Sequence, residues 1–88
     1  GTDCSGFTMS LYAKYGHSLP HNAAAQAGVT RKVSSPKPGD LFFYGSGHVS
    51  HVAIYIGNGQ IIHASNPSDG IKISSAYYRK PIKIGRVL

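Results

Sequence analysis

The sequence has 88 residues, of which 41% are hydrophobic and 14% are charged, and its formal net charge is +6. A chain of this length forms a single domain that buries about 60 to 65% of its unfolded surface, and the absence of any run of about 18 apolar residues excludes a membrane span. The positive charge favours anionic partners, but the basic residues are scattered without interleaved aromatics or zinc-finger spacing, so nucleic acid is not an expected partner.

Two helices are predicted in the first third of the chain. Asp3 can cap a helix that begins at Cys4 and ends before Gly16, with the apolar side chains Phe7, Leu11 and Tyr15 at four-residue spacing on one face. Asn22 can cap a second helix that runs through the following alanines to Gly28.

After Val29 the pattern changes to that of strands, which are separated by turns containing Gly, Asn and Pro. A short helical segment is also expected near Ser75 to Tyr78. Helices followed by a run of strands predict an α+β fold, in which the first helix packs on a small curled antiparallel sheet. The predicted strands are Leu41 to Tyr44, Val49 to Ile56, Gln60 to Ser65, Ile71 to Ile73 and Pro81 to Val87.

The only cysteine, Cys4, excludes an internal disulfide and has the position of a reactive thiol. It lies in the first turn of a capped helix, where free backbone N–H groups and the positive end of the helix dipole stabilise an anion. The same amides could hold an oxyanion. A buried, inert cysteine is the alternative, but a capped position before Ser5 and Gly6 is a poor place to bury apolar bulk.

Five histidines compete for the role of base. His17 and His21 flank Pro20 in a loop and His48 follows a Gly- and Ser-rich loop, so these three are expected to be exposed. His51 and His63 instead lie in apolar strands, where a polar ring needs a partner.

The turn between these two strands decides whether the histidines meet. A two-residue turn at Asn58-Gly59 would pair Gly57 with Gln60 and place His51 and His63 on opposite faces. A three-residue loop, Gly57-Asn58-Gly59 with Gly59 left-handed, would place His63 opposite Ala53 and diagonal to His51, at about 7 to 8 Å between backbones. The three-residue loop is therefore predicted.

With that register, His51 takes the proton of Cys4 and His63 orients the His51 ring, which gives a Cys-His-His triad. A structural strand histidine at position 63 is the alternative. A zinc site formed by His48, His51 and His63 is a further one, but it would leave Cys4 unexplained and has no acidic residue near it in sequence. No metal and no cofactor is therefore predicted.

Four segments together resemble the NlpC-type cell-wall endopeptidases, small papain-like cysteine peptidases, and the resemblance covers essentially the whole chain. They are Asp3-Cys4-Ser5-Gly6-Phe7, Pro38 to Phe43, Ser50 to Gly59 and Ile62-His63-Ala64. The resemblance implies one catalytic domain over residues 1–88 that hydrolyses the bond between γ-linked D-glutamate and a diamino acid in peptidoglycan stem peptides. It also implies that Asp3, Ser5 and Ser50 line the substrate groove.

The resemblance further implies a secreted or wall-associated bacterial protein, active as a monomer within a longer multi-domain chain. The family's aromatic segment upstream of the nucleophile has no counterpart here, so residues 1–88 are expected to be a fragment of that chain. Three alternatives remain: an amidase that cuts between the sugar and L-alanine, a wall-binding module without catalysis, and a thiol acyltransferase. The order of Cys4 before His51 disfavours the last.

Overall fold

A computed structural model describes residues 3–66 and 70–88, which form an α+β domain. The six strands of the described residues make one antiparallel sheet in the order β1-β6-β2-β3-β4-β5. The predicted fold class and four of the strand positions are confirmed closely. The elements are α1 (Cys4–Ala13), α2 (Ala23–Val29), β1 (Arg31–Lys32), β2 (Leu41–Tyr44), β3 (His51–Gly57), β4 (Gln60–Asn66), β5 (Gly70–Ser75) and β6 (Lys83–Arg86).

Both helix caps are confirmed. The Asp3 carboxylate accepts a hydrogen bond from the amide of Gly6, and the Asn22 side chain accepts one from the amide of Ala25. None of the helices in the described residues is long and apolar enough to cross a membrane.

The predicted apolar face of α1 is confirmed for Phe7 and Leu11, which pack against the core, but not for Tyr15. Tyr15 is 72% exposed and lies beyond the end of the helix, whereas Thr8 and Tyr12 are buried. Polar groups on this face can be buried because they have partners: the Tyr12 hydroxyl donates to the Gly39 carbonyl, and the Thr8 hydroxyl donates to Gln26.

The sheet has two apolar faces. Helix α1 covers the face formed by Leu41, Phe43, Val52 and Ile54, which is the main core. Strand alternation turns the intervening side chains to the other face, where a second cluster forms. Its members are Phe42, Tyr44, Ala53, Ile61 and Ala76.

The β3–β4 hairpin has the predicted strand register next to the histidines, but its turn differs from the predicted one. Gly57 pairs with Gln60 across a two-residue turn in which Asn58 and Gly59 both have positive φ, at 54° and 72°. Between Tyr55 and Gly57 the register shifts by a β-bulge, and Ile56 at the bulge is 39% exposed. The predicted three-residue loop is therefore wrong, but Ile54 still pairs with Ile62, which places Ala53 opposite His63.

Two further predictions differ from the structure. The segment after Ser75 is a turn and not a helix, closed by a hydrogen bond from the amide of Tyr78 to the Ser75 carbonyl. The sequence also gave no signal for β1, which has two residues and pairs only with β6. Such a short, exposed edge strand has too few side chains to show a periodic pattern.

Gly85 allows β6 to approach the end of α2 closely. A side-chain Cβ at this position would overlap the Thr30 side chain and crowd the ring of Phe43. We therefore expect Gly85→Ala to destabilise the fold by about 1 to 3 kcal/mol through overpacking.

Thermal unfolding of both Ala variants measures this effect. Gly28→Ala is the matched control, because no atom lies within 4 Å of a Cβ built there and the position is helical. Alanine should stabilise this exposed helical site by up to about 1 kcal/mol. Equal melting temperatures for the two variants would contradict the proposed close approach.

Candidate active site

The thiol of Cys4 is at the N-terminal end of α1, as predicted, and is half-buried. The Asp3 carboxylate accepts from the Gly6 amide at 2.6 Å, and the Asp3 carbonyl accepts from the Phe7 amide at 2.9 Å. In the described part of the chain, the amides of Cys4 and Ser5 therefore have no hydrogen bond. They are available to a developing negative charge next to the sulfur.

Asp3 is held as an anion. The hydrogen bond from the Gly6 amide, assisted by His21, lowers the pKa of this carboxyl below its ordinary value. His21 is exposed, as predicted, and its Nε2 lies 3.1 Å from Asp3 Oδ1. The cap therefore stays ionised where the helix dipole favours negative charge.

Gln26 was not among the predicted site residues, but its side chain forms hydrogen bonds that fix the first turn of α1. Its side chain is fully buried, and its amide nitrogen donates to the carbonyls of Ser5 at 2.9 Å and Pro20 at 2.8 Å. Its amide oxygen accepts from the Thr8 hydroxyl at 2.6 Å. Helix α2 thus fixes the turn that carries the thiol.

His51 and His63 form a hydrogen-bonded pair. The distance between His51 Nε2 and His63 Nδ1 is 2.7 Å, and the second nitrogen of His63, Nε2, is 3.0 Å from the Ser74 hydroxyl. His63 is only 2% exposed, whereas His51 is half-buried. With its Nε2 engaged, His51 keeps Nδ1 for another partner, as the predicted orienting role requires.

One aromatic ring packs beside each histidine of the pair. The ring of His51 is 6.0 Å from that of Tyr44, and the ring of His63 is 5.9 Å from that of Tyr78. Burial, with smaller contributions from His63 and the charge of Arg79, lowers the pKa of His51 to about 4. Burial and the charge of Lys72 also lower the pKa of His63. His51 is therefore a neutral base at pH 7.

Cys4 begins α1 and His51 begins β3, and these two elements contact each other. The last turn of α1 is fixed near the end of β3 because Tyr12 bonds to Gly39, whose amide donates to the carbonyl of Tyr55. Eight helical residues back from Tyr12 span about 12 Å, which is the length of about four strand residues back from Tyr55. A helix aligned with β3 would therefore bring Cys4 level with His51. No hydrogen bond joins the thiol to either imidazole among residues 3–66 and 70–88.

The remaining candidates are distributed as follows. Ser50 is exposed beside His51, and Ser5 is buried with its hydroxyl 3.4 Å from Asp3 Oδ1. His48 is exposed, as predicted, but His17 is half-buried with its ring 6.2 Å from that of Tyr12. Within the described ranges, no three His, Cys, Asp or Glu side chains are grouped as a metal ion would need.

Neutral, buried histidines should make the fold sensitive to acid. The folded pKa of His51 lies below the ordinary value of 6.5, so the unfolded chain binds more protons as the pH falls from about 6.5 to about 4. The stability that depends on neutral His51 is complete above about pH 6.5 and is lost through this range, and His63, whose pKa is also lowered, acts in the same direction. We expect a slope of at most about 1.4 kcal/mol per pH unit for each histidine.

Denaturant titrations at several pH values test this dependence. A His51→Gln and His63→Gln double variant should show a flatter pH profile between pH 6.5 and 4 than the unmodified chain. His48→Gln, at an exposed position, should keep the original slope. A double variant with an unchanged slope would show that other groups control the acid sensitivity.

A free thiol at a capped helix start and a bonded histidine pair on the curled antiparallel sheet that this helix covers define a papain-like α+β domain. The chain matches the NlpC/P60 family over residues 1–84 and belongs to this family.

Two relatives and two solved structures show the extent of the likeness. The probable endopeptidase p60 of Listeria innocua is 49% identical over 79 residues, which are 85% of this chain and 16% of that protein. The bifunctional muramidase/DL-endopeptidase CwlT of Bacillus subtilis is 37% identical over 97 positions, covering 99% of this chain and 29% of CwlT. The chain therefore spans less than a third of either relative.

Among solved structures, an NlpC/P60 family protein from Bacillus cereus superposes with a TM-score of 0.92 and 33% identity, over 100% of this chain and 32% of that one. RipD from Mycobacterium tuberculosis, described as a non-catalytic NlpC/p60 domain protein adapted to peptidoglycan binding, has a TM-score of 0.85 and 33% identity. It is covered over 68% of its length, and this chain over 100%. The family fold thus occurs with both endopeptidase and binding descriptions.

Proposed function

We propose that residues 1–88 form a catalytic domain that hydrolyses peptidoglycan stem peptides through Cys4. The bond cut is the one between the γ-carboxyl of D-glutamate and the diamino acid. The observation that carries this proposal is a hydrogen-bonded histidine pair on the sheet that α1 covers, together with a half-buried thiol at the capped start of α1.

The first chemical step transfers the Cys4 proton to Nδ1 of His51, and the thiolate attacks the scissile carbonyl carbon. The carbonyl oxygen becomes an oxyanion that the amides of Cys4 and Ser5 stabilise. His51 then returns the proton to the leaving amine, the C–N bond breaks, and the glutamyl group remains on the sulfur as a thioester. Water, deprotonated by His51, hydrolyses the thioester and regenerates the thiol.

His63 keeps His51 in the tautomer that this step needs. When His51 is doubly protonated, its Nε2–H donates to Nδ1 of His63, so His63 must carry its own proton on Nε2. That proton has an acceptor, the Ser74 hydroxyl at 3.0 Å. Ser74 is therefore a positioning residue that fixes the tautomer of His63 and, through it, the direction of the His51 ring.

Asp3, Ser5 and Ser50 contribute to the substrate groove in different ways. Asp3 and Ser50 are exposed and adjoin Cys4 and His51 in sequence, and we propose that both contact the peptide. Ser5 is buried and directs its hydroxyl at Asp3, so we propose that it also orients the Asp3 carboxylate toward the substrate.

The relatives support this substrate and bond. The names of p60 and CwlT include endopeptidase activity, and CwlT is specifically named a DL-endopeptidase. We extend this activity to the present chain, and with it a secreted or wall-associated location and a place within a longer protein. The net charge of +6 suits a wall that carries anionic groups.

A second candidate, a wall-binding module without catalysis, is favoured by the likeness to RipD. Defined muropeptides, incubated with and without a thiol-alkylating reagent and analysed by mass spectrometry, separate the possibilities. Alkylation-sensitive release of a glycan-linked dipeptide supports the endopeptidase. Glycan freed of its peptide would indicate the amidase, and binding without any cleavage would indicate the binding module.

A further inference from the structure

A cationic cavity adjoins the histidine pair and has no part in the mechanism above. Its volume is about 350 Å³, and it contains both imidazoles and the Ser74 hydroxyl together with two basic side chains. Its lining residues are His51, His63, Lys72, Ser74, Tyr78 and Arg79. Among the described residues that line it there is no carboxylate, and these side chains suit an anionic group.

Arg79 is the group in this cavity with unused hydrogen-bonding capacity. Its guanidinium carbon lies 6.0 Å from the centre of the Tyr44 ring, a cation–π contact that leaves the N–H donors unused. In the described part of the chain it forms neither a hydrogen bond nor an ion pair. Two of the three acidic residues bind elsewhere: Asp40 pairs with Arg86, and Asp3 caps α1. The third, Asp69, lies outside the described residues.

The chemistry of the proposed reaction tells which part of the substrate enters this cavity. His51 must hand its proton to the leaving amine, so the diamino acid that bears this amine lies on the imidazole side of the thiol. The cavity continues from that side past His63. A side chain extending from the leaving amino acid would therefore reach toward Arg79.

We infer that Arg79 binds the distal carboxylate of meso-diaminopimelate and thereby selects this diamino acid over lysine. The two differ at the end of the side chain: lysine ends in an ammonium group alone, whereas diaminopimelate carries a carboxylate on the same carbon. A guanidinium can form two parallel hydrogen bonds with a carboxylate. A lysine side chain offers Arg79 no carboxylate, and its distal ammonium would face the guanidinium without a compensating negative charge.

This inference rests on the proposed function for the placement of the leaving group, but it can be tested by binding as well as by turnover. Two peptides are compared, L-Ala-γ-D-Glu-meso-diaminopimelate and L-Ala-γ-D-Glu-L-Lys, which differ only in the distal carboxylate. Turnover is measured with the unmodified protein, and Kd by calorimetry with Cys4→Ala protein, which cannot cleave. A preference for the diaminopimelate peptide of at least about tenfold is expected, as a charge-assisted hydrogen bond provides.

Arg79→Ala should reduce the ratio of the two Kd values, and the ratio of the two kcat/KM values, to near one. Arg79→Lys should keep part of the preference, because charge remains but the planar two-bond geometry is lost. Lys80→Ala is the matched control: it removes an adjacent exposed positive charge that does not line the cavity and should leave both ratios unchanged.

Equal binding of both peptides by the Cys4→Ala protein, or a preference that Arg79→Ala does not change, overturns the inference. A preference in binding that depends on Arg79, with no thiol-dependent cleavage of either peptide, supports the carboxylate site and overturns the proposed endopeptidase function. The failure of one proposal is therefore distinguishable from the failure of the other.

Discussion

Replacement of Cys4 by Ala should reduce turnover of stem peptides by at least about 10³-fold, because it removes the sulfur on which the acyl intermediate forms. The fold should persist, since Cys4 is only half-buried and contributes no hydrogen bond from its thiol to either histidine. A stability change within about 1 kcal/mol is expected. Turnover is followed by mass spectrometry and stability by thermal unfolding.

Ser10→Ala is the matched control for this substitution. Ser10 is an exposed residue on the same helix, so its loss should alter neither turnover nor stability. Turnover by Cys4→Ala protein at the unmodified rate would refute the covalent mechanism. Loss of activity accompanied by unfolding would instead show that the thiol is a packing element of the first turn.

Replacement of His51 by Ala should be nearly as damaging as loss of the thiol, at about 10²- to 10⁴-fold, because His51 is both the base and the acid of the reaction. His63→Ala should slow the reaction less, by about 10- to 100-fold, because it releases the His51 ring without removing it. Single-turnover rates of acylation measure both variants.

The pH dependence of acylation tests the orienting role of His63. The charge of His63 when protonated, together with burial, contributes to the low pKa of His51. Without His63, the acid limb of the rate profile should move to higher pH, which a purely structural histidine would not cause. Equal losses for His51→Ala and His63→Ala, with no shift of the profile, would argue that the pair acts only through packing.

Much of the fold follows from local chemistry that is visible in the sequence. Asp3 and Asn22 are short acceptors placed before helical segments, and both act as caps. The histidine pair was predictable because two polar rings in apolar strands need partners and only one hairpin register allows them to meet. The need for a hydrogen-bond partner for each histidine therefore predicted the strand register correctly, although the turn type was predicted wrongly.

The parts that were missed depend on contacts between distant segments. Gln26 belongs to a helix of small residues. The neighbouring sequence does not indicate that its side-chain amide donates to the Ser5 carbonyl, in the turn that contains Cys4. Ser74 becomes a candidate only when the pairing of β4 with β5 is known, since it lies opposite Ile61 and next to His63 in space. Thr8 and Tyr12 were missed as buried residues of α1, because hydropathy alone does not indicate that their hydroxyls have acceptors in the folded chain.

Because of the bulge at Ile56, the effect of deleting a single residue from β3 depends on which residue is deleted. A protein that lacks Ile56 would still pair Tyr55 with Ile61 and Gly57 with Gln60. Both imidazoles would therefore stay on the same face of the sheet. A protein that lacks Val52 would keep the hairpin turn, but its His51 side chain would turn to the helix-covered face of the sheet, away from His63. Two single-residue deletions, four positions apart, thus differ in effect: one keeps the histidine pair together and the other separates it.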